Sequence, residues 1–270
     1  MAHEHGEHGH GHGEHGHQHG TGHDHRHHHD GPRPVLPGDR ERIDALWPFV
    51  KEQIPPGPGA VVEIGCGPLG GFVPLLHAKG HHTVGVDPSA PDGPSYRQVR
   101  FEDWQPGVGD VPVQAVVACL SLHHVDDIDA LLARVAELMQ PGGRLVVREW
   151  ARERFDEATA RWSFERLGPQ AASEDEEPKR GYWLARHRDG WQEAGGDWSS
   201  YIEGWADDAG LLTGKALLHA LEASPFETEL LEFDPYFHLA LEGVTVEQEQ
   251  AAIDAGTIRA NGIRYVGRLA

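Results

Sequence analysis

The chain has 270 residues, which is enough for one large domain or for one domain that carries an insertion. Its composition, 39% hydrophobic and 24% charged, is typical of a soluble globular protein, and its apolar runs are too short to span a bilayer. A formal net charge of −20 disfavours nucleic acid as a partner, because binding to nucleic acid depends on neutralising phosphates.

The first 30 residues form a low-complexity tail that contains 13 of the 21 histidines. No apolar period runs through it, so we predict a disordered, His-rich tail over residues 1–38. Neutral imidazoles bind divalent transition metals, and the tail is therefore a candidate metal-binding segment. Its densest group is His23, His25, His27, His28 and His29.

No apolar core follows Met1, so we expect no secretory signal and a cytoplasmic location. The chain has only two cysteines, Cys66 and Cys119, which is too few for a disulfide scaffold in a chain of this length. Both lie in apolar segments, and we interpret them as small buried side chains in a reducing compartment.

Strand and helix signals alternate from Asp39 onward, beginning with a short helix over residues 41–51. A helix is expected to start at Pro68 and to end at Gly80, and a second one to follow a cap at Asp126 or Asp127. The predicted strands are residues 60–64, 83–86, 96–101, 111–120 and 145–147. Strands separated by segments of helical length predict right-handed crossovers and a parallel sheet.

A glycine turn follows the first predicted strand, at Gly65-x-Gly67-x-x-Gly70. Glycine lets a ligand approach the backbone, and this spacing also matches the fingerprint of dinucleotide-binding proteins. Glu63 favours a different ligand, because a carboxylate here would repel a pyrophosphate but attract the ammonium and sulfonium groups of S-adenosylmethionine. Asp87 ends the second strand, about 20 residues past the first glycine, where a carboxylate can bind ribose hydroxyls.

Taken together, these segments resemble class I S-adenosylmethionine-dependent methyltransferases that act on small molecules. The resemblance covers roughly residues 58–150 and, more loosely, residues 211–270. It implies an α/β, Rossmann-like, seven-stranded, mostly parallel sheet with helices on both faces and S-adenosylmethionine as the cofactor. The cofactor-binding residues that it implies are Glu63, Gly65, Cys66, Gly67, Asp87, Glu102, Asp103, Trp104, Leu120, Ser121 and Leu122.

Two histidines, His123 and His124, follow the fourth predicted strand, at the edge where ligands bind in such sheets. The methyl group of a sulfonium is already activated, so a base is needed only when the acceptor is protonated. One of the two histidines is a candidate for that base, and the alternative is that the pair only shapes the loop. Glu149 and Trp150, at the end of the fifth strand, are further candidates for the pocket wall.

The alternation of strands and helices stops at residues 151–210, where five tryptophans occur, and returns at residues 211–270. We therefore predict one methyltransferase domain made of residues 39–150 and 211–270, with residues 151–210 as a helical insertion or lid. The expected function is methyl transfer to an oxygen or nitrogen of a small molecule. The alternatives are an NAD(P)-dependent oxidoreductase and a metal-handling protein that acts through its tail.

Overall fold

The computed structural model of the chain describes residues 35–107, 111–168 and 179–270. Its centre is a seven-stranded sheet with the strand order β3-β2-β1-β4-β5-β7-β6. All neighbouring strands are parallel except that β7 runs antiparallel to both β5 and β6. The predicted Rossmann-like, mostly parallel seven-stranded sheet is therefore confirmed, whereas the predicted tail lies almost entirely outside the described residues.

The strands are β1 (Ala60–Ile64), β2 (His82–Val86), β3 (Tyr96–Arg97), β4 (Val113–Cys119), β5 (Met139–Trp150), β6 (Phe226–Asp234) and β7 (Gly262–Leu269). The α-helices are α1 (Asp39–Gln53), α2 (Val73–Ala78), α3 (Ile128–Leu138), α4 (Glu157–Phe164), α5 (Tyr182–Ala194), α6 (Trp198–Asp208), α7 (Gly214–Ala223) and α8 (Val246–Asp254). Short 3-10 turns cover Phe101–Asp103, Leu122–His124, Arg152–Arg154 and Phe237–Leu239.

Helices cover both faces of the sheet. Successive side chains of a strand point to opposite faces, and in β1 and β4 both sets of side chains are mostly apolar and buried. On one face, Val62 and Val116 pack in a core with residues of α3 and α7. On the other face, Val61 and Val117 pack in a second core with residues of α1 and α2. The central strands are buried on both faces, which explains why they appear in the sequence as continuous apolar runs.

Several predicted boundaries were wrong. Helix α2 begins at Val73 rather than at Pro68, because Gly70 and Gly71 have φ angles of 78° and 55° and extend the loop. Strand β3 has two residues, and a 3-10 turn replaces the end of the predicted strand. Strand β5 begins at Met139, well before the predicted residues 145–147.

The Trp-rich segment forms α4, α5 and α6, which share a third core that is largely aromatic. Trp198 is almost fully buried at its centre, with Phe155 at 4.9 Å and Trp191 at 5.2 Å between ring centroids. The same core includes Phe237 from the 3-10 turn after β6. The aromatic side chains thus join the Trp-rich segment to the end of the sheet at which β6 ends.

Candidate active site

The glycine loop follows β1 and occupies the carboxyl end of the sheet. Gly65, Gly67, Gly70 and Gly71 all have positive φ angles, between 55° and 79°, which residues with a Cβ rarely adopt. A Cβ at Gly65 would collide with Ser121, whereas a Cβ at Gly67 would meet nothing within 4 Å. The loop is therefore packed against the turn after β4 at Gly65 and has open space at Gly67.

Glu63 lies beneath this loop and is only 3% exposed. Its Oε2 accepts a hydrogen bond of 2.8 Å from the backbone N–H of Phe72, and a Cβ at Gly71 would collide with its carboxylate. Burial raises the pKa of Glu63 to about 8, although the backbone N–H groups of Phe72 and Val73 oppose this shift. The buried carboxyl thus supports the loop from below and would become more acidic next to a positively charged ligand.

Asp87 links the end of β2 to the glycine loop. One carboxylate oxygen accepts a hydrogen bond of 3.0 Å from the N–H of Gly67, and the other accepts one of 2.6 Å from the N–H of Ser89. The second acid of the predicted cofactor site therefore lies directly beside the open glycine.

Cys66 is buried between these two acids, and burial together with Glu63 and Asp87 raises the pKa of its thiol. The side chain therefore stays protonated. Both cysteines are free thiols, as the sequence predicts.

The loop after β4 has an unusual backbone at Leu120, whose φ angle is 57°. No other described residue apart from glycine has a positive φ, and such a conformation costs about 1–3 kcal/mol. The N–H of Leu120 donates to the carbonyl of Arg148 at 2.8 Å, and the hydroxyl of Ser121 donates to the carbonyl of Ile64 at 2.9 Å. The surrounding strands therefore hold the strained residue in place.

Glu149 at the end of β5 organises the turn that carries the two histidines. Its side chain is 0% exposed, and its Oε1 accepts hydrogen bonds from the N–H groups of Ser121 at 2.7 Å and Leu122 at 2.6 Å. Its Oε2 accepts from the N–H of Trp150 at 3.2 Å and lies 2.7 Å from Nδ1 of His123. One buried carboxylate thus fixes the backbone and one imidazole of this turn.

Burial alone would raise the pKa of Glu149, but the His123 ring and the backbone N–H groups of Leu122 and Trp150 lower it below its ordinary value. Glu149 is therefore ionised and can only accept hydrogen bonds. It follows that Nδ1 of His123 carries the proton in this pair, which leaves Nε2 as an unprotonated acceptor when the ring is neutral. The side chain of His123 is 16% exposed, so it is accessible from the carboxyl end of the sheet.

His124 contacts His123 at 4.1 Å between ring centroids, but the hydrogen bonds to Glu149 involve His123 and not His124. This geometry separates two neighbours that the sequence leaves equivalent. Sequence reasoning named Glu149 only as a pocket wall and missed its contact with His123. The sequence did contain one signal for the role of Glu149, namely an acid at the end of an apolar strand.

The residues predicted near an adenine differ in their surroundings. Glu102 and Asp103 lie in the exposed 3-10 turn after β3, and Arg100 pairs with Glu102 at 3.4 Å and with Asp126 at 2.9 Å. Trp104 is 6% exposed and packs in the core beside Phe101, with 6.0 Å between ring centroids. The core takes up most of the Trp104 surface, so Asp103 has the more accessible side chain.

Helix α1 forms a wall of the cleft that lies above the glycine loop. The cleft is lined by Asp39, Arg42, Ile43 and Leu46 from α1, by Glu63, Gly65, Cys66, Gly67, Pro68, Leu69, Gly71 and Phe72, and by Cys119 and Leu120. Leu122, in contrast, is completely buried in the core below the turn. The contribution of α1 was not predicted, because an amphipathic helix in a sequence does not reveal which strand end it covers.

The histidines of the candidate metal site, from His23 to His29, lie outside the described residues. Residues 35–107, 111–168 and 179–270 contain no group of three or more His, Cys, Asp or Glu side chains that is suited to a metal ion. In the same ranges, every helix is too short or too polar to cross a membrane.

The strand order, the glycine loop after β1 and the acid after β2 define a Rossmann-like fold, a class in which ligands commonly bind at the carboxyl ends of the parallel strands. A family model described as a methyltransferase domain matches residues 39–188, which is more than half of the chain. The chain belongs to this methyltransferase family. The predicted class I S-adenosylmethionine-dependent methyltransferase, with its enzyme class and cofactor, is confirmed.

Solved structures with a similar fold have low sequence identity to the chain. An S-adenosylmethionine-dependent methyltransferase from Mesorhizobium loti is 18% identical, with a TM-score of 0.48, and the match covers 84% of this chain and 99% of that one. The PH0226 protein from Pyrococcus horikoshii OT3 is 12% identical, with a TM-score of 0.50 and coverage of 86% and 91%. No curated protein matches the chain.

Proposed function

We propose that this methyltransferase transfers a methyl group to an oxygen or nitrogen of a small molecule and that His123 is its general base. The observation that carries the proposal is the 2.7 Å contact between Nδ1 of His123 and the buried carboxylate of Glu149. A base is useful only if the acceptor atom loses a proton, which favours a hydroxyl or a protonated amine over an acceptor that is already nucleophilic.

The cofactor site in this proposal lies over the glycine loop. The open backbone at Gly65 to Gly67 would hold the methionine part, and Leu120 and Ser121 would contact it from the end of β4. Asp87 would accept hydrogen bonds from the ribose hydroxyls, and Asp103 would lie near the adenine. The Asp87 carboxylate beside the open glycine, together with Glu63 once a positively charged ligand lowers its pKa, suits a positively charged nucleoside without phosphates.

The bound cofactor supplies an activated methyl group on a sulfonium. The protein's own contribution begins with orientation, since Glu149 fixes the turn that faces the cofactor loop and so limits the geometry of attack. Nε2 of His123 accepts the proton of the acceptor atom, and Glu149 stabilises the imidazolium that results.

A small acceptor is favoured by the limited access to the base. The His123 side chain is 16% exposed and Glu149 is fully buried, so a residue of a folded protein would have difficulty reaching Nε2. We include a cytoplasmic location in the proposal, with which the two free thiols of Cys66 and Cys119 agree.

The proposal is tested by incubating the full chain with S-adenosylmethionine labelled in its methyl group and a library of hydroxyl- and amine-bearing metabolites. We expect the wild-type protein to transfer the label to an oxygen or nitrogen of a metabolite. We expect His123→Gln to transfer much less label. Labelling that persists unchanged in His123→Gln would show that the reaction needs no base at this position. The control is His219→Gln, which changes an exposed histidine on α7.

A further inference from the structure

Two residues of opposite charge on α1 line the cleft above the glycine loop. Asp39 and Arg42 are three positions apart, and 3.4 Å separates Oδ1 of Asp39 from Nη2 of Arg42. Both belong to the same lining as Gly65 and Gly67. Because side chains three positions apart lie on one face of a helix, the wall of the cleft carries a negative and a positive group side by side.

The Asp39 carboxylate is held in place by the backbone just before α1. The residue is 8% exposed, and its Oδ2 accepts a hydrogen bond of 2.9 Å from the N–H of Leu36. The N–H of Asp39 in turn donates to the carbonyl of Leu36 at 3.1 Å. The position of this carboxylate is therefore fixed within the protein, which lowers the entropic cost of binding a ligand to it.

Arg42 supplies positive charge to the cleft. Among the described residues that line the cleft, it is the only one with a basic side chain. Its 3.4 Å contact with Asp39 is longer than an ordinary N–H···O hydrogen bond. A guanidinium has five N–H donors, and its planar shape allows two parallel hydrogen bonds to a carboxylate. One long contact does not use this capacity, so Arg42 is suited to bind a carboxylate of a ligand.

Helix α1 is fixed against the sheet by its apolar residues. Leu46, Phe49 and Val50 pack in the second core together with side chains of β1 and β4. The backbone N–H of Arg42 donates to the carbonyl of Gly38 at 2.9 Å, so the first turn of the helix is closed. The two charged side chains therefore project from a rigid element that lies beside the glycine loop.

The glycine loop itself has few free donors for an anionic group. The N–H of Gly65 donates to the carbonyl of Val86 at 2.9 Å, and the N–H of Gly67 donates to the Asp87 carboxylate at 3.0 Å. These two N–H groups are therefore already engaged within the protein. A carboxylate bound over the loop would also be repelled by Asp87, which increases its need for a positively charged partner.

We propose that Arg42 binds the carboxylate at the amino-acid end of S-adenosylmethionine and that Asp39 binds its ammonium group, so that α1 selects nucleosides with a complete amino-acid end. The inference rests on the proposed function, because it deepens the cofactor site that the proposal places over the glycine loop. The ammonium and the carboxylate of the cofactor are attached to one carbon, and the two side chains that match them in charge are neighbours on one helix face.

Selection follows from the cost of leaving charges unpaired in a cleft. A ligand without the carboxylate would bring a positive ammonium next to Arg42 and offer it no acceptor, and a ligand without both groups would gain from neither side chain. The complete amino-acid end replaces the long contact between Asp39 and Arg42 with charge-assisted hydrogen bonds to both of them.

The test is calorimetric titration of the full chain with three nucleosides that differ at this end. They are S-adenosylhomocysteine, its decarboxylated analogue, which keeps the ammonium, and 5′-methylthioadenosine, which lacks both charged groups. The wild-type protein should bind S-adenosylhomocysteine about tenfold or more tightly than the decarboxylated analogue, as expected for hydrogen bonds between charged groups.

Arg42→Gln should weaken the binding of S-adenosylhomocysteine by about tenfold to hundredfold without weakening the binding of the decarboxylated analogue. Asp39→Asn should weaken the binding of both ligands that carry the ammonium, whereas 5′-methylthioadenosine should bind both variants as it binds the wild type. The matched control is Arg40→Gln, which changes an exposed arginine in the same turn of α1 and should leave all three affinities unchanged.

Equal affinity of Arg42→Gln and the wild type for S-adenosylhomocysteine would overturn the inference. An equal loss of affinity for all three nucleosides in Arg42→Gln would also overturn it, because it would show a general effect on the cleft and not a contact with the carboxylate. Absence of S-adenosylhomocysteine binding by the folded wild-type protein would instead contradict the proposed function.

Discussion

Asp87 accepts a hydrogen bond from the backbone N–H of Gly67, with 3.0 Å between Oδ2 and the nitrogen. Because Gly67 has a φ angle of 62° and open space where a Cβ would lie, this bond fixes the one glycine of the loop that is free to approach a ligand. The end of β2 and the loop after β1 are therefore aligned within the protein itself, which lowers the entropic cost of binding the cofactor.

Replacing Asp87 with alanine should weaken the binding of S-adenosylhomocysteine by about tenfold or more. The reason is that hydrogen bonds to a charged group contribute about 1.5–3 kcal/mol, and every 1.4 kcal/mol is tenfold in affinity. Calorimetric titration of the variant measures this change. Asp92→Ala, which removes an exposed acid from the same loop, should bind as the wild type does.

The contact between His123 and Glu149 predicts different effects of replacing each residue: the loss of His123 should affect mainly catalysis, and the loss of Glu149 should also affect stability. His123→Gln should lower kcat by about 10² to 10⁴, as expected for the loss of a general base, while the cofactor still binds. Initial rates with the acceptor identified by methyl labelling test this. A variant that binds cofactor and keeps full kcat would exclude His123 as the base.

Glu149→Gln should also destabilise the fold, by about 1–3 kcal/mol, because an amide N–H₂ group would face backbone donors in a buried site. Urea unfolding measures this loss. The effect should shrink at low pH: the folded pKa of Glu149 is lowered, so its stabilisation is present above the pKa of the unfolded state and is lost as pH falls through the folded pKa.

Glu63 should have the opposite pH dependence, because its folded pKa is raised from 4.5 to about 8. Between these values the folded state binds more protons than the unfolded state, so the stability that Glu63 contributes should fall as pH rises, by up to about 1.4 kcal/mol per pH unit. The difference in unfolding free energy between wild type and Glu63→Gln, measured from pH 5 to about pH 8, isolates this effect. A difference that does not change with pH would contradict the raised pKa.

Gly71→Ala should destabilise the protein by about 2–4 kcal/mol, because the new Cβ would collide with the Glu63 carboxylate at a positive φ angle. Gly204→Ala is the matched control. Its position lies inside α6 with nothing within 4 Å, so alanine should raise stability there by about 0.5–1 kcal/mol. Urea unfolding measures the change in unfolding free energy of both variants. Equal changes in Gly71→Ala and Gly204→Ala would contradict the prediction, because they would show a general intolerance of substitution and not an effect of the loop geometry.

The central strands were predictable from the sequence because burial on both faces leaves an uninterrupted apolar run, as in β1 and β4. Asp87 and the glycines were also predictable, since they depend on local backbone geometry and on one neighbouring strand. Strand β3 was overestimated because it has only two paired residues at the sheet edge, where few packing contacts mark its end.

The contacts that join distant segments could not be predicted in this way. Glu149 reaches His123 across 26 positions and Glu249 reaches back to Tyr236, and no periodicity encodes either contact. The ring contacts of Trp150 with Trp183 and Tyr236 likewise bring together residues of β5, α5 and the segment after β6. Such sites depend on how strand ends and insertions pack, which a single sequence does not state.

The most direct test of the account is calorimetric titration of the folded, full-length protein with S-adenosylhomocysteine and, separately, with NADH. We predict saturable binding of one equivalent of S-adenosylhomocysteine and no binding of NADH, because the chain belongs to a methyltransferase family and its open glycine lies beside the Asp87 carboxylate. Absence of heat with S-adenosylhomocysteine, in protein whose unfolding transition confirms that it is folded, would contradict the cofactor site on which the proposed reaction depends.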